Sequence, residues 1–374
     1  MKKIAVFGGT FDPVHVEHVE IALSSIKELN LDKLIVMPTY QPPHKTEKPT
    51  SPKDRIEMLK RAFIGHNNIE ISDFEINNQS KSYTYITAEH FKSLYPDDKL
   101  YFIIGGDSLT GFKTWKNPER ILKATRLAVF SRDNFFTDWE AEKKYFKDNF
   151  NDTFIRLNYV GKGVSSTKAR LYFSMGLGTE GIVPDGVIDY VLENNLYVED
   201  GVVAFLKKVL TKKRLIHTAN VTITALSKVG ELNLDKEKVY LSAMLHDCAK
   251  YLSPTDFKDF YLDPDVPSPV VHAFLGAHVV EKVLKITDPE IIDAIKYHTT
   301  GKADMSTLLK LIFLSDMVEE GRSYDGVEKL RELFIKDFDK CLVEALKEEL
   351  IHLKNKGQPV YFETVNAYNY YVKN

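Results

Sequence analysis

Cysteine is scarce. Only Cys248 and Cys341 occur in 374 residues, which excludes a disulfide framework and a thiolate-held metal cluster. Long apolar runs are missing too, and nothing approaches the roughly 20 residues that a membrane-crossing helix needs. The opening "MKKIAVFGGTF" carries two lysines and a short apolar run. That run stops at Gly8-Gly9 and Asp12 follows, too short for a signal peptide. Charge of one sign is absent as well. The 50 Lys and Arg against 53 Asp and Glu leave a net charge of -3. This balance argues against a general nucleic-acid or anionic-membrane binder while allowing local basic pockets. No internal repeat or low-complexity segment is visible. What remains is a soluble, globular composition, 44% hydrophobic and 28% charged, with a reducing cytoplasm as the default setting.

At this length two domains are expected rather than one core. "KKIAVFG" reads as a buried strand feeding a glycine turn, "HVEIALSSIKELNL" as a helix and "KLIVMPT" as a second buried strand. The Pro-rich, charged "QPPHKTEKPTSPKDR" reads as a long loop of the kind that serves sites. A helix ("RIEMLKRAFIG"), a strand ("IEISDFEI"), another helix and the run "LYFIIGGDS" follow. Strands alternating with helices predict a parallel, doubly wound α/β sheet over residues 1–199. Ligands would then collect at the carboxyl ends of the strands, where Gly8-Gly9 and Gly105-Gly106-Asp107 fall. From the link "VEDG" onward nearly every segment has helical period, which predicts an all-α domain over residues 200–374.

In "FGGTFDPVHVEH" a glycine turn between a strand and a helix start brings His15 and His18 into the first helical turn. Backbone N–H groups and the helix dipole attract phosphate in this setting, and the histidines can donate to phosphate oxygens as charge builds. The same residues also suit an ordinary βα turn with two surface histidines. "GVSSTKAR" places Ser165, Ser166 and Thr167 at a helix start with Lys168 and Arg170 behind, either a capped surface helix or a second phosphate clamp. "SYTYIT" at 82–87 is compatible with a strand. Trp115, in the polar "FKTWKNPER", is either a loop anchor or an exposed ring for stacking.

Taken together, "GGTFDPVHVEH", "PTYQPPHK", "DRIEML", "SYTYIT", "LYFIIGGDSL", Trp115, "GVSSTKAR" and "VPDGVIDYVLENNLY" resemble bacterial nicotinate-nucleotide adenylyltransferases of the nucleotidylyltransferase superfamily. The resemblance covers residues 1 to about 197 and implies a Rossmann-like fold. It implies transfer of AMP from ATP, with its Mg²⁺, to nicotinate mononucleotide, giving deamido-NAD and pyrophosphate. By the same resemblance Gly8, Gly9 and Thr10 shape the phosphate loop and His15 and His18 contact the ATP phosphates. Lys45, Ser165, Ser166, Thr167 and Arg170 supply further donors, with Gly105 and Asp107 near the adenosine. His44, Lys45, Ser82, Tyr83, Thr84 and Trp115 would face the nicotinate nucleotide. The pantetheine-phosphate adenylyltransferases share only the opening motif and leave another phosphorylated acceptor as the alternative. One departure stands out: Glu17 occupies the position where the family has Gly in H-x-G-H. Helical geometry turns Glu17 roughly 130° from the midpoint of the two histidines. The expectation is a solvated carboxylate facing away from the phosphates.

The helical half carries His217, "LHDCAK" (His246, Asp247), "VVHAFLGAH" (His272, His278), "KYHTTG" (His298) and "FLSDM" (Asp316). Each alone suits a hydrogen-bonded core residue. Asp316, however, follows the apolar "LLKLIFLS", where an unpaired carboxylate is costly. Together they predict a metal centre between helices, with ligands that suit Fe, Mn, Zn or Ni. Two metals bridged by Asp247 and a hydroxide would suit the splitting of phosphate anhydrides. The series resembles HD-domain phosphohydrolases of the YqeK type over about residues 205–370. That resemblance implies His217, His246, Asp247, His272, His298 and Asp316 as ligands and Lys250 as a phosphate contact. It further implies iron and the symmetrical hydrolysis of diadenosine tetraphosphate to two ADP. The expectation is therefore a bifunctional enzyme whose partners are small nucleotides, not nucleic acid or membrane, with oligomeric state left open. The rival is a second domain that binds nucleotide or metal as a regulatory module without turnover.

Overall fold

The central strand runs are apolar on both faces, and the protein buries them on both. In the computed structural model, which describes residues 1–40, 49–78, 83–132 and 135–373, six strands form one parallel sheet. They are β1 (Lys3–Gly9), β2 (Lys33–Pro38), β3 (Ile69–Ile71), β4 (Lys99–Gly105), β5 (Arg126–Arg132) and β6 (Ile155–Gly161). Their order is β3-β2-β1-β4-β5-β6, and every pairing is parallel. Ile4, Ala5 and Val6 of β1 and Leu34, Ile35, Val36 and Met37 of β2 are fully buried, as parallel sheets covered by helices require. From β1 the chain steps outward to β2 and β3, then returns to lay β4, β5 and β6 on the other side. Between β1 and β4 the carboxyl ends diverge into the crevice that doubly wound sheets use for ligands. Gly9 ends β1 and Gly105 ends β4, so both glycine turns flank it.

One alternative falls and one expectation is corrected. "SYTYIT" is not a strand: the helix Thr84–Leu94 begins inside it, with Tyr83 at its N-cap. The β-formers Tyr85, Ile86 and Thr87 sit in that helix because it buries Thr87, Ala88 and Phe91, and packing overrides propensity. In "IEISDFEI" the strand ends at Ile71 and a short helix, Phe74–Asn78, takes over.

The chain divides into two compact units: Met1–Arg170 with Gly178–Tyr197, and Leu171–Leu177 with Val198–Asn374. Helices build the second. Thr307–Val318 is buried nearly all round, through Leu308, Leu309, Leu311, Ile312, Phe313, Leu314, Ser315 and Val318. Such a helix belongs at the centre of a core. Val221 and Ala225 of Lys212–Ser227 and Cys341, Leu342, Ala345 and Leu346 of Phe338–Asn355 join the same cluster. The helix Lys236–Leu245 stops short of its motif, so His246 stands at its C-cap and Asp247 in the turn beyond. Among the described residues no helix is long and apolar enough to cross a membrane.

Candidate functional sites

A cleft of about 1030 Å³ opens at the carboxyl ends of the strands of the first unit. Gly8, Gly9 and Thr10 line it, as do Gly105 and Asp107. At Gly9 the missing side chain matters, because an added Cβ would stand 2.9 Å from the Phe11 ring. His15 caps the helix Val16–Leu29 and His18 lies in its first turn, their rings stacked 3.6 Å apart between centroids. The His15 backbone N–H donates to Nδ1 of His18 at 3.2 Å. With Nδ1 accepting, a neutral His18 carries its proton on Nε2.

Ser165, Ser166, Thr167 and Arg170 line the same cleft from the start of the helix Ser166–Met175. Two helix N-termini therefore meet one cavity, an arrangement that favours anions. Side chains tie the two segments together: Ser166 Oγ donates to the Pro13 carbonyl at 2.9 Å and Arg170 to the Asp12 carbonyl at 2.6 Å. Elsewhere Tyr83, Thr84 and Trp115 line the cleft, with Lys116 Nζ 4.5 Å above the Tyr83 ring. Trp115 is half-buried against Phe112, 5.3 Å between rings, so it is an anchored aromatic wall and not a free loop ring. His44, Lys45 and Ser82 lie outside the described residues.

Glu17 is not the solvated carboxylate that helical geometry alone predicts. It is 4% exposed and accepts the Val164 backbone N–H at 2.8 Å. The helix register holds, but the far side of the helix faces protein and not water.

Several residues carry no signal strong enough to find in advance. The fully buried Arg55 donates to the carbonyls of Thr50, Thr10 and Thr39 at 3.1, 2.9 and 2.8 Å, fixing the loops beneath the cleft. Asp12 accepts from Tyr197 Oη at 2.8 Å, and both residues line the cleft. Glu75, buried at the cleft wall, accepts from Thr87 Oγ1 at 2.6 Å.

In the second unit, Asp247 is the hub. Its Oδ2 lies 3.6 Å from His246 Nε2 and 3.8 Å from His217 Nε2. Its Oδ1 lies 3.0 Å from His272 Nε2 and 3.6 Å from His298 Nε2. Two groups of possible ligands therefore share one carboxylate: His217, His246 and Asp247, and Asp247, His272 and His298. Asp316 stands beside the first group, its Oδ1 3.0 Å from His217 Nε2 and ion-paired with Arg322. Lys250 Nζ lies 3.1 Å from His272 Nε2, and Arg214 donates to Asp247 Oδ2 at 2.7 Å. His278 joins neither group and instead faces Asp259 at 3.5 Å.

The tautomers bear on whether a cation fits. His246 Nδ1 lies 2.6 Å from the Ala243 carbonyl and His298 Nδ1 2.7 Å from that of Ile295, so each ring holds its proton there. Their Nε2 lone pairs consequently point at the Asp247 carboxylate. Burial pushes His246 down to about 3, so its ring is neutral. Lone pairs facing a carboxylate repel it unless a cation stands between them, and a divalent metal suits this donor set. Burial would lower His217, yet its hydrogen bonds to the Asp316 and Glu319 carboxylates raise it. Glu319 Oε1 meets His217 Nδ1 at 3.0 Å and orients that ring. Arg214 and Glu319 read in sequence as ordinary surface charges.

Residues 6–171 match the cytidylyltransferase-like family and residues 214–342 match the HD domain. A Clostridium tetani protein described as a probable nicotinate-nucleotide adenylyltransferase is 38% identical over 199 residues, 53% of this chain and 100% of that protein. A Mycoplasma genitalium protein described as a probable nicotinate-nucleotide adenylyltransferase/Ap4A hydrolase is 29% identical over 332 residues, 87% of this chain and 89% of that protein. Among solved structures, a predicted HD superfamily hydrolase from Clostridium acetobutylicum, described as involved in NAD metabolism, matches 46% of this chain and 95% of its own at 29% identity, with a TM-score of 0.42.

Arg55 gives the first test. Arg55→Leu removes a buried donor from three carbonyls, which should lower stability by about 3 kcal/mol. The urea midpoint measured on the full chain should fall with little change in slope. An unmoved midpoint would mean that these carbonyls find other donors.

Proposed function

The chain belongs to the nicotinate-nucleotide adenylyltransferase family and carries an HD domain as well, and from that premise we propose a bifunctional enzyme of adenine-nucleotide chemistry. Its first part, residues 1–199, transfers AMP from ATP to nicotinate mononucleotide. The observation that carries this reading is one cleft with an anion-attracting end at His15, His18, Ser165–Thr167 and Arg170 and an aromatic wall at Trp115. A phosphate oxygen of the mononucleotide attacks the α-phosphorus of ATP in line. The bond to the β-phosphate oxygen breaks, and pyrophosphate leaves. No covalent enzyme intermediate is needed, so positioning and charge stabilisation carry the rate. His18 donates from Nε2 and Arg170 from its guanidinium to phosphate oxygens as charge accumulates. Gly105 and Asp107 sit beside the adenosine, and Tyr83, Thr84 and Trp115 hold the nicotinate ring. Mg²⁺ arrives with the ATP as part of the substrate.

The second part, residues 200–374, splits a nucleotide phosphoanhydride, with diadenosine tetraphosphate giving two ADP as the specific reaction. What carries this reading is Asp247, with one oxygen toward each pair of imidazoles. His217, His246, Asp247, His272, His298 and Asp316 would hold two transition-metal ions, iron first among them. Such ions supply a water acidic enough to attack near neutral pH and polarise the phosphoryl oxygen. The chain's own part would be to orient the imidazoles of His246, His298 and His217, through Ala243, Ile295 and Glu319, and to offer Lys250 to a phosphate. A regulatory module without turnover would bind metal and nucleotide but form no ADP.

His18→Ala should lower adenylyl-transfer kcat by roughly 10²–10³, the scale for one lost preorganised donor, with a smaller change in ATP binding. Steady-state kinetics with nicotinate mononucleotide decide this, and near-normal turnover would remove His18 from the mechanism.

Asp247→Ala should abolish dinucleotide hydrolysis and reduce bound transition metal, while deamido-NAD synthesis persists. Metal analysis and both assays on one preparation check it. Retained hydrolysis would refute the hub role of Asp247.

A further inference from the structure

One helix of the first unit reaches β6 through three carboxylates. Glu28 Oε2 accepts the Asn158 backbone N–H at 2.7 Å and its side-chain amide at 3.0 Å. Glu20 accepts from Tyr159 Oη at 2.8 Å and from Lys162 Nζ at 2.9 Å. Glu17 Oε2 accepts the Val164 backbone N–H at 2.8 Å. At 100° per residue, positions 17, 20 and 28 fall within a sector of about 80°, so they form one face. The bonds of Glu20 to Lys162 and of Glu28 to Asn158 lie in solvent, but Glu17 is buried.

The place where Glu17 lands is shaped for it. An added Cβ on Gly161 would stand 2.1 Å from Glu17 Oε1, so the carboxylate fills the space that a side chain there would need. Val164 directly precedes Ser165, Ser166 and Thr167, while Glu17 itself sits between His15 and His18. One part-buried hydrogen bond thus joins the histidine turn to the segment that delivers the serines, threonine and Arg170.

We infer that Glu17, seated against Gly161 and bonded to the Val164 amide, is a positioning residue that sets the spacing between the His15–His18 pair and the Ser165–Arg170 clamp around ATP phosphates. The inference rests on the adenylyl-transfer reading above. Glu17 acts through Val164 and touches no substrate. Its negative charge is directed into the 161–164 turn, where a charge aimed at the phosphates would instead weaken ATP binding.

Three variants of the full chain test this: Glu17→Ala, Glu17→Gln and Gly161→Ala. Glu17→Ala removes the acceptor and should raise KM for ATP about tenfold, the effect of losing one charge-assisted hydrogen bond. KM for nicotinate mononucleotide should change less than twofold. Hydrogen exchange at the Val164 amide should accelerate by at least tenfold, whatever the activity. Glu17→Gln keeps a carbonyl acceptor and should restore KM for ATP to within threefold of the parent. Gly161→Ala displaces the carboxylate and should reproduce the ATP defect of Glu17→Ala.

An unchanged KM for ATP in Glu17→Ala, or equal rises in both KM values, would overturn the inference. A fall in KM for ATP in Glu17→Gln would also overturn it, by showing a repulsive charge. If the parent protein forms no deamido-NAD, the functional reading fails. Calorimetric titration with ATP then decides alone: a tenfold weaker Kd in Glu17→Ala sustains the positioning role, and an unchanged Kd ends it.

Discussion

An ionised group shut away from water must find its compensation inside the protein, and both units are organised around that constraint. Unpaired, such a group is destabilising by several kcal/mol, more than most single contacts return. In the first unit Arg55 meets it with three carbonyls from three loops, and Glu17 with the amide of Val164. In the second, Asp247 has four imidazoles, Arg214 and Lys250 within 4 Å, and Asp316 has His217 and Arg322. These groups could not be kept charged without drawing distant segments together. The loops under the cleft, and the helices that carry the histidines, are held in part by that requirement.

The two sites meet the requirement in different ways. Around the cleft most charged groups are satisfied by the backbone: Asp12 takes the Thr50 amide, and Arg55 and Arg170 donate to main-chain carbonyls. A backbone-bonded scaffold is rigid and leaves its side-chain donors preorganised, which suits a reaction run by positioning. Around Asp247 the partners are titratable side chains aimed at one another, with proton-bearing nitrogens turned outward to Ala243 and Ile295. That pattern leaves electron pairs converging on a common point, as metal chemistry requires.

Much of the architecture was legible because its signals are local. Strands apolar on both faces and ending in glycine announce a parallel sheet, and its carboxyl ends announce the crevice. The His and Asp residues of the helical half were legible as types. Asp247 was legible as the shared carboxylate, but which histidines fall on each side of it was not, since that depends on how separate helices cross. "SYTYIT" was ambiguous because its β-propensity competes with the burial of Thr87 and Ala88 that makes it helical. Glu17 misled. Helical periodicity gave its direction correctly, but whether that direction meets water depends on Val164, which is 147 positions away. Arg55, Arg214 and Glu319 are invisible for the same cause, since a charged residue on or beside a helix reads as solvated until its partner is seen.

The strand order also bears on how the chain is made. β1 is made before both of the strands it pairs with, yet it lies inside the sheet, and one neighbour begins only where Lys3 pairs with Lys99. At ordinary rates of synthesis, roughly 5–20 residues per second, the apolar run Ile4–Phe7 waits on the order of ten seconds for that partner to be made. During that interval an unpaired strand edge is open to pairing with another nascent chain. β2, arriving sooner on the other side, covers one edge early, and the helix Val16–Leu29 between them supplies the local contacts that shorten the exposure.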